Sequence, residues 1–226
     1  AVTISNAISG AGALTKLGTG TTSLTGANTY SGTTTISAGT LNIGGGGTTG
    51  TLGTGAVVNN ATLQLSRGDN ATVSNNISGT GAVNQTGPVG TILTGTNTYS
   101  GTTTISNGIL SVGAGGTTGT LGTGAVVNNS TLLFNRSDAL TISSNISGTG
   151  QVQQSGSGTT TLTGANTYSG TTFINSGTLS VGAGGAAGTL GTGFVTNSGT
   201  LQFNRSDAVT VSNIIDGPGS VVKTGT

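Results

Sequence analysis

The chain has no cysteine and no histidine among its 226 residues. The missing cysteine excludes disulfide staples and thiol chemistry. It also suits a chain that crosses an oxidising compartment unfolded, where a premature disulfide would lock it. Without His or Cys, neither Ser-His-Asp nor Cys-His catalysis can be assembled from this segment. Charge is nearly as scarce, with five Lys or Arg, four Asp or Glu and a net charge of +1. That leaves no electrostatic footprint for DNA, RNA or anionic lipid. Four acids are too few for a carboxylate-lined catalytic face. The Gly-rich turns hold none of them, which excludes the Asp ladders of calcium-binding solenoids. Those turns also lack the lysine of a phosphate-binding loop. No apolar run approaches the ~20 residues that span a bilayer, and no basic stretch followed by an apolar one opens the chain. No window shows helical spacing of helix formers. The expectation is an all-β chain with no catalytic residue, cofactor or metal, and no membrane insertion by this segment.

What the sequence does contain is repetition. Tyr30, Tyr99 and Tyr168 are 69 residues apart, each inside a Gly-x-Asn-Thr-Tyr-Ser-Gly run. Ile8, Ile77, Ile146 and Ile215 keep the same step. A fixed period without insertions is the signature of stacked copies of one supersecondary unit. Glycine is abundant, at 45 residues, yet the aliphatic residues recur in register, which argues against a disordered linker. Leu63, Leu132 and Leu201 stay Leu, and two residues on stand Leu65, Phe134 and Phe203. Between them Gln64, Leu133 and Gln202 vary in polarity. A period of two with one conserved side is a strand with one face in the core. The same parity puts Val57, Val126 and Val195 inward.

A unit of 69 residues is too long for one coil. Coil starts at Gly12, Gly32, Gly55 and Gly81 give steps of 20, 23 and 26, hence about three coils per repeat. At the usual strand spacing of about 4.8 Å, each repeat then rises about 14 Å and the chain holds about ten coils over roughly 48 Å. Copies of the tyrosine would lie three coils apart along one side of the rod, each packing on residues 20 to 26 away. The repeat units read as 12–80, 81–149, 150–218 and a partial fourth at 219–226, within one continuous solenoid over 1–226. With no capping unit at either end, the expectation is a segment of a longer protein with open sheet edges.

Gly12-Ala-Leu-Thr-Lys-Leu-Gly-Thr-Gly20, running on through Gly26-Ala-Asn-Thr-Tyr-Ser-Gly32 to Gly39-Thr-Leu-Asn-Ile-Gly44, resembles the autotransporter-associated β-strand repeat, also called the passenger-associated transport repeat. The pattern returns at Gly81 to Gly113 and Gly150 to Gly182, with a start at Gly219. It departs from the family where Gln85 and Gln154 replace the lysine kept at Lys16 and Lys223, so charge there is dispensable. The resemblance implies a right-handed parallel β-helix, a β-solenoid, in the passenger of a type V secreted bacterial protein. It also implies a location at the cell surface or outside it, and a part in the passenger's own export.

The repeated polar residues invite structural readings. Asn59, Asn128 and Asn197 share the parity of an inward Val, and Asn28, Asn97 and Asn166 stand two before each Tyr. Both sets are expected to satisfy backbone groups at corners. The rings of Tyr30, Tyr99 and Tyr168 are expected to cover the end of the core with their hydroxyls in water. Arg67 with Asp69, Arg136 with Asp138 and Arg205 with Asp207 are expected to be local charge pairs holding a turn. The Thr-rich stretches occur once per three coils, too sparsely for an ice-binding face. The functional expectation is a stalk or spacer that folds coil by coil as it is exported. The alternatives are an adhesin that binds a glycan, a protein, or a host or abiotic surface through a lateral Thr/Asn-rich face, and a subunit that self-associates end to end.

Overall fold

The computed structural model describes all 226 residues. It contains twenty-five strands of two to four residues and no helix. Every strand pairing is parallel, and each joins segments one coil apart in sequence. The result is a parallel β-solenoid of about 11 turns, long enough for a rod of about 53 Å at the usual spacing.

Three faces run the length of the rod. Face one stacks Val2–Ile4, Thr21–Leu24, Thr40–Ile43, Thr62–Leu65, Ala82–Gln85, Thr103–Ile105, Val126–Asn128 and Ile146–Ser147. Face two stacks Ala71–Val73, Gly90–Leu93, Ile109–Val112, Thr131–Phe134, Gln151–Gln154, Thr172–Ile174, Val195–Asn197 and Ile215–Asp216. Face three begins with Leu14–Lys16, Thr34–Ile36, Val57–Asn59 and Ile77–Ser78. It resumes with Leu140–Ile142, Thr159–Leu162, Thr178–Val181, Thr200–Phe203 and Ser220–Lys223. Irregular segments bridge the gap, since Thr98 N donates to Ile77 O and Thr123 N to Tyr99 O.

The inward columns are the expected aliphatic ladders. On face one, Leu41 pairs with Leu63 and Leu63 with Val83, all fully buried. Val57, Val126 and Val195 also point inward without exposure. Such a core forms because alternate residues of a short β-branched strand face the axis, and each coil covers the apolar side of the last.

The register sharpens the repeat. Along face one, Val2, Thr22, Leu41, Leu63, Val83, Thr103, Val126 and Ile146 lie in line, so seven steps cover 144 residues, about 20.6 per turn. The 69-residue unit therefore makes about three and a third turns and rises about 16 Å. The apparent 26-residue step is a 20-residue turn, from Val57 to Ile77, plus six residues that carry the chain onto the next face. Equivalent positions of successive repeats are thus rotated by one face rather than aligned along one side. Tyr30 lies on face two, Tyr99 on face three and Tyr168 on face one, as the strands flanking each show.

Candidate functional site

The Asn-Thr-Tyr stations occupy the places where regular strand gives way to irregular backbone, and their side chains take over the inter-coil bonding. Asn97 is buried. Its Oδ1 accepts from Ile77 N in the coil below at 3.0 Å, and its Nδ2 donates to Thr120 O in the coil above at 2.7 Å. Asn28 links Ile8 N and Thr51 O in the same way at 2.9 and 2.7 Å, as Asn166 links Ile146 N and Thr189 O. A threonine 23 residues on completes each station. Thr120 Oγ1 accepts from Asn97 N at 2.6 Å and donates to Asn97 O at 3.1 Å.

The tyrosines correct the expectation of wet hydroxyls. Tyr30, Tyr99 and Tyr168 are at most 1% exposed. Their hydroxyls pair with Thr34, Thr103 and Thr172 Oγ1 at 2.7, 2.8 and 2.9 Å. A threonine on the inward side of the next strand supplies the partner, so the whole ring, hydroxyl included, enters the core. Burial pushes the Tyr99 and Tyr168 phenols above their ordinary value, only partly offset by the threonine bond. The coil above lies directly on each ring, because a Cβ at Gly122 would meet Tyr99 Cδ2 and Cε2 at 2.5 Å. Gly53 and Gly191 bear the same relation to Tyr30 and Tyr168.

Asn59, Asn128 and Asn197 are buried at the corner that follows an inward valine. Their Nδ2 groups donate to Ala82, Gln151 and Ser220 O at 2.8, 2.7 and 2.9 Å. The lysine position of the repeat does similar work. Lys16 Nζ donates to Ala38 O and Gly18 O, while Gln85 Nε2 donates to Gly87 O at 3.0 Å and Gln154 Nε2 to Gly156 O at 2.8 Å. The corner carbonyl needs a donor and not a charge, which is why glutamine and lysine exchange there.

Each Arg-Asp pair holds more than its own turn. Arg136 makes two parallel bonds to Asp138, Nε to Oδ1 at 2.8 Å and Nη2 to Oδ2 at 2.7 Å. The rest of the guanidinium reaches the Gly-rich loop of the preceding coil, with Nη1 on Gly119 O and Nη2 on Thr117 O, both at 2.6 Å. Arg67 takes Gly50 O and Thr48 O, and Arg205 takes Gly188 O and Ala186 O. Each Asp is pulled below its ordinary value first by the hydrogen bond from its arginine. The arginines are 16%, 10% and 11% exposed against 41%, 40% and 41% for their aspartates. The cation is therefore a loop clamp with most of its donors engaged, and only the aspartate faces solvent.

These clusters are built from bonds within and between coils and leave few groups free for chemistry. No three residues among His, Cys, Asp and Glu come together. Three of the four acids are bound to arginine. Sequence reasoning named the Asn, Tyr, Arg and Asp positions but missed their threonine partners at 34, 51, 103, 120, 172 and 189. Those residues do keep the 69-residue step, and that was the available signal.

This geometry, nearest-neighbour coils clamped by repeated side-chain stations, defines a β-solenoid repeat module. The family profile described as Passenger-associated-transport-repeat matches residues 14–43, 90–112 and 152–181. The chain thus carries passenger-associated transport repeats, a little over a third of its length by direct match. A curated relative, "Adhesin BmaC autotransporter" of Brucella suis biovar 1 (strain 1330), is 47% identical over 62 residues. That match covers 27% of this chain and 2% of the relative, so the chain is a distant homologue of a small part of a far longer protein. No solved structure matches the chain.

Proposed function

We propose that the chain is a rigid spacer in the exported passenger of a bacterial autotransporter-type surface protein, and that it aids its own export by folding coil by coil. The observation that carries this reading is the locality of its bonding. Strand partners lie only one coil apart, and so do the side-chain links through Asn97 and Arg136. Each emerging coil then needs only the one before it as a template. Folding outside the membrane would bias movement outward with no nucleotide consumed. The passenger-type repeats and the autotransporter relative support a location at the cell surface or in the medium. The test is refolding of the full chain from urea by dilution. Spontaneous recovery of the β-sheet circular dichroism signal is expected, without chaperone or nucleotide, and failure to recover it would remove the basis of the export role.

A second reading is adhesive, favoured by the likeness of part of the chain to an autotransporter adhesin. Its partner would be a glycan, a protein, or a host or abiotic surface. Cell- or glycan-binding by the isolated chain would support it, concentration-dependent fibres in electron micrographs would point to end-to-end self-association, and an inert monomer would leave the spacer.

A further inference from the structure

The one-third turn left over in each repeat brings different positions of different repeats onto one face. On face two the outward column reads Thr72, Ile92, Ser111, Leu133, Gln153, Phe173 and Thr196. Ile92 stands where the sister copies have Ser23 and Thr161, and Leu133 where they have Gln64 and Gln202. Phe173 stands where they have Thr35 and Thr104. Ile109, beside this column and 38% exposed, replaces Thr40 and Thr178. Four positions that are polar in both sister copies have thus become apolar on the same face. The outward columns of the other faces stay polar apart from single valines at Val127 and Val58 and the terminal Val222.

Three of these residues wall one groove. Ile92, Ile109 and Leu133 line an open groove of about 290 Å³ together with Ser111, Asn70 and Asn135. In the sister repeats neither Ser23, Thr40 and Gln64 nor Thr161, Thr178 and Gln202 line a cavity. The core does not account for the substitutions, because these side chains point away from it and are only half-buried or exposed.

We propose that face two is a binding surface for a neutral, unbranched oligosaccharide lying along the rod. The column from Ile92 to Phe173 spans four strand spacings, about 19 Å. A strip that long and one side chain wide falls far short of the roughly 800 Å² per partner that a stable protein interface or a dimer buries. It suits a thin, extended ligand. No charged residue stands in the column between Thr72 and Thr196, and Asp216 follows only beyond Thr196, so the apolar strip offers no charge for a ligand to pair with. Its apolar faces would rest on Leu133 and on the negative π-face of Phe173, which attracts the weakly positive C–H groups of a sugar ring. The amides of Gln151 and Gln153, in the strand between those two, share one long bond, Gln153 Nε2 donating to Gln151 Oε1 at 3.4 Å, and their remaining donors and acceptors would serve ring hydroxyls. This rests on the adhesive reading and moves it from a Thr/Asn-rich face to this one.

The test uses the full chain and a variant carrying Ile92→Ser, Ile109→Thr, Leu133→Gln and Phe173→Thr. Each new residue is the one a sister repeat already carries, so the fold should hold, which an unchanged melting temperature would verify. The probes are neutral linear tetra- to hexasaccharides of several linkages and a sulfated polysaccharide, titrated calorimetrically at low and high salt. Binding of a neutral probe, insensitive to salt and weakened at least about tenfold in the variant by loss of the apolar contacts, supports the proposal. Binding of only the sulfated probe, equal binding by the variant, or no binding overturns it. So does a dimer that sediments with the wild type and is lost in the variant. Adhesion to cells by both proteins alike would sink the face-two site and leave the adhesive reading standing, whereas adhesion by neither would end both.

Discussion

Replacing Asn97 by alanine should be among the most damaging single changes on the rod, although the position is neither apolar nor catalytic. Asn97 bridges three coils, accepting from Ile77 N at 3.0 Å and donating to Thr120 O at 2.7 Å. Alanine removes both bonds at once. Ile77 is fully buried, so its amide has no water to turn to, and a buried donor left unpaired costs about 1–3 kcal/mol. Thr120 O is better placed to find solvent and adds less, so the total is about 2–4 kcal/mol. Asn97→Asp should fall short of repair, since it keeps the acceptor, loses the donor and places a carboxylate against Thr120 O. The control is Asn129→Ala, an exposed asparagine whose Oδ1 takes only Thr149 N at 3.3 Å, for which a change within about 0.5 kcal/mol is expected. Urea unfolding followed by circular dichroism measures the loss, and hydrogen exchange at the Ile77 amide locates it. If Asn97→Ala unfolds within about 1 kcal/mol of wild type and the Ile77 amide stays protected, the station is not what joins the coils.

Three other outcomes follow from the same geometry. Arg136→Ala should raise hydrogen exchange across residues 113–119, whose carbonyls it clamps, while Asp138→Asn leaves that loop nearly as protected; equal effects would return the pair to the role of a simple turn. Gly122→Ala should destabilise by about 1–3 kcal/mol through overpacking against the Tyr99 ring, whereas Gly116→Ala, which meets no atom within 4 Å, should melt with the wild type. Because burial raises the Tyr99 and Tyr168 phenols, the unfolded chain ionises first, so stability is full below the ordinary phenol value of about 10 and falls as pH rises through the higher folded values. A Tyr99→Phe, Tyr168→Phe double variant should show a shallower alkaline decline in melting temperature, and an unchanged one would mean that these phenols do not titrate with unfolding.

Much of the fold could be read from the sequence because the period-two parity of Leu63, Leu65 and Val57 is written three times over. Comparing copies separates inward from outward positions as an alignment would. The number of turns per repeat was harder to read, since glycine-led segments such as Gly55-Ala-Val and Gly81-Ala-Val look alike whether they are one coil apart or a coil and a third. Only the strand register distinguishes them, and register is a tertiary property. The tyrosine hydroxyl was misplaced for a related reason. Its partner, Thr103, lies four residues on but in a different face, so the bond depends on a corner whose angle the sequence does not state. The arginine clamp was half legible: Asp138 is local, but Gly119 and Thr117 lie 17 and 19 residues back and become neighbours only when the coil closes.

The fractional turn has a consequence for how such a rod can carry a site. Were the repeat a whole number of turns, every copy of a surface residue would fall on one face, and changing that face would mean changing every copy. With about three and a third turns per 69 residues, each copy presents a given position on a different face. A single repeat can then diverge on the outside while its inward Asn, Tyr and Leu stations stay fixed by the coils above and below. Ile92, Ile109 and Leu133 have diverged within one repeat, and Phe173 has joined them from the next because the winding sets it two strands above Leu133. The stations that hold the rod together and the residues free to vary are therefore separated by parity along each strand. A solenoid of this construction can acquire a lateral binding strip without loss of the contacts that join its coils.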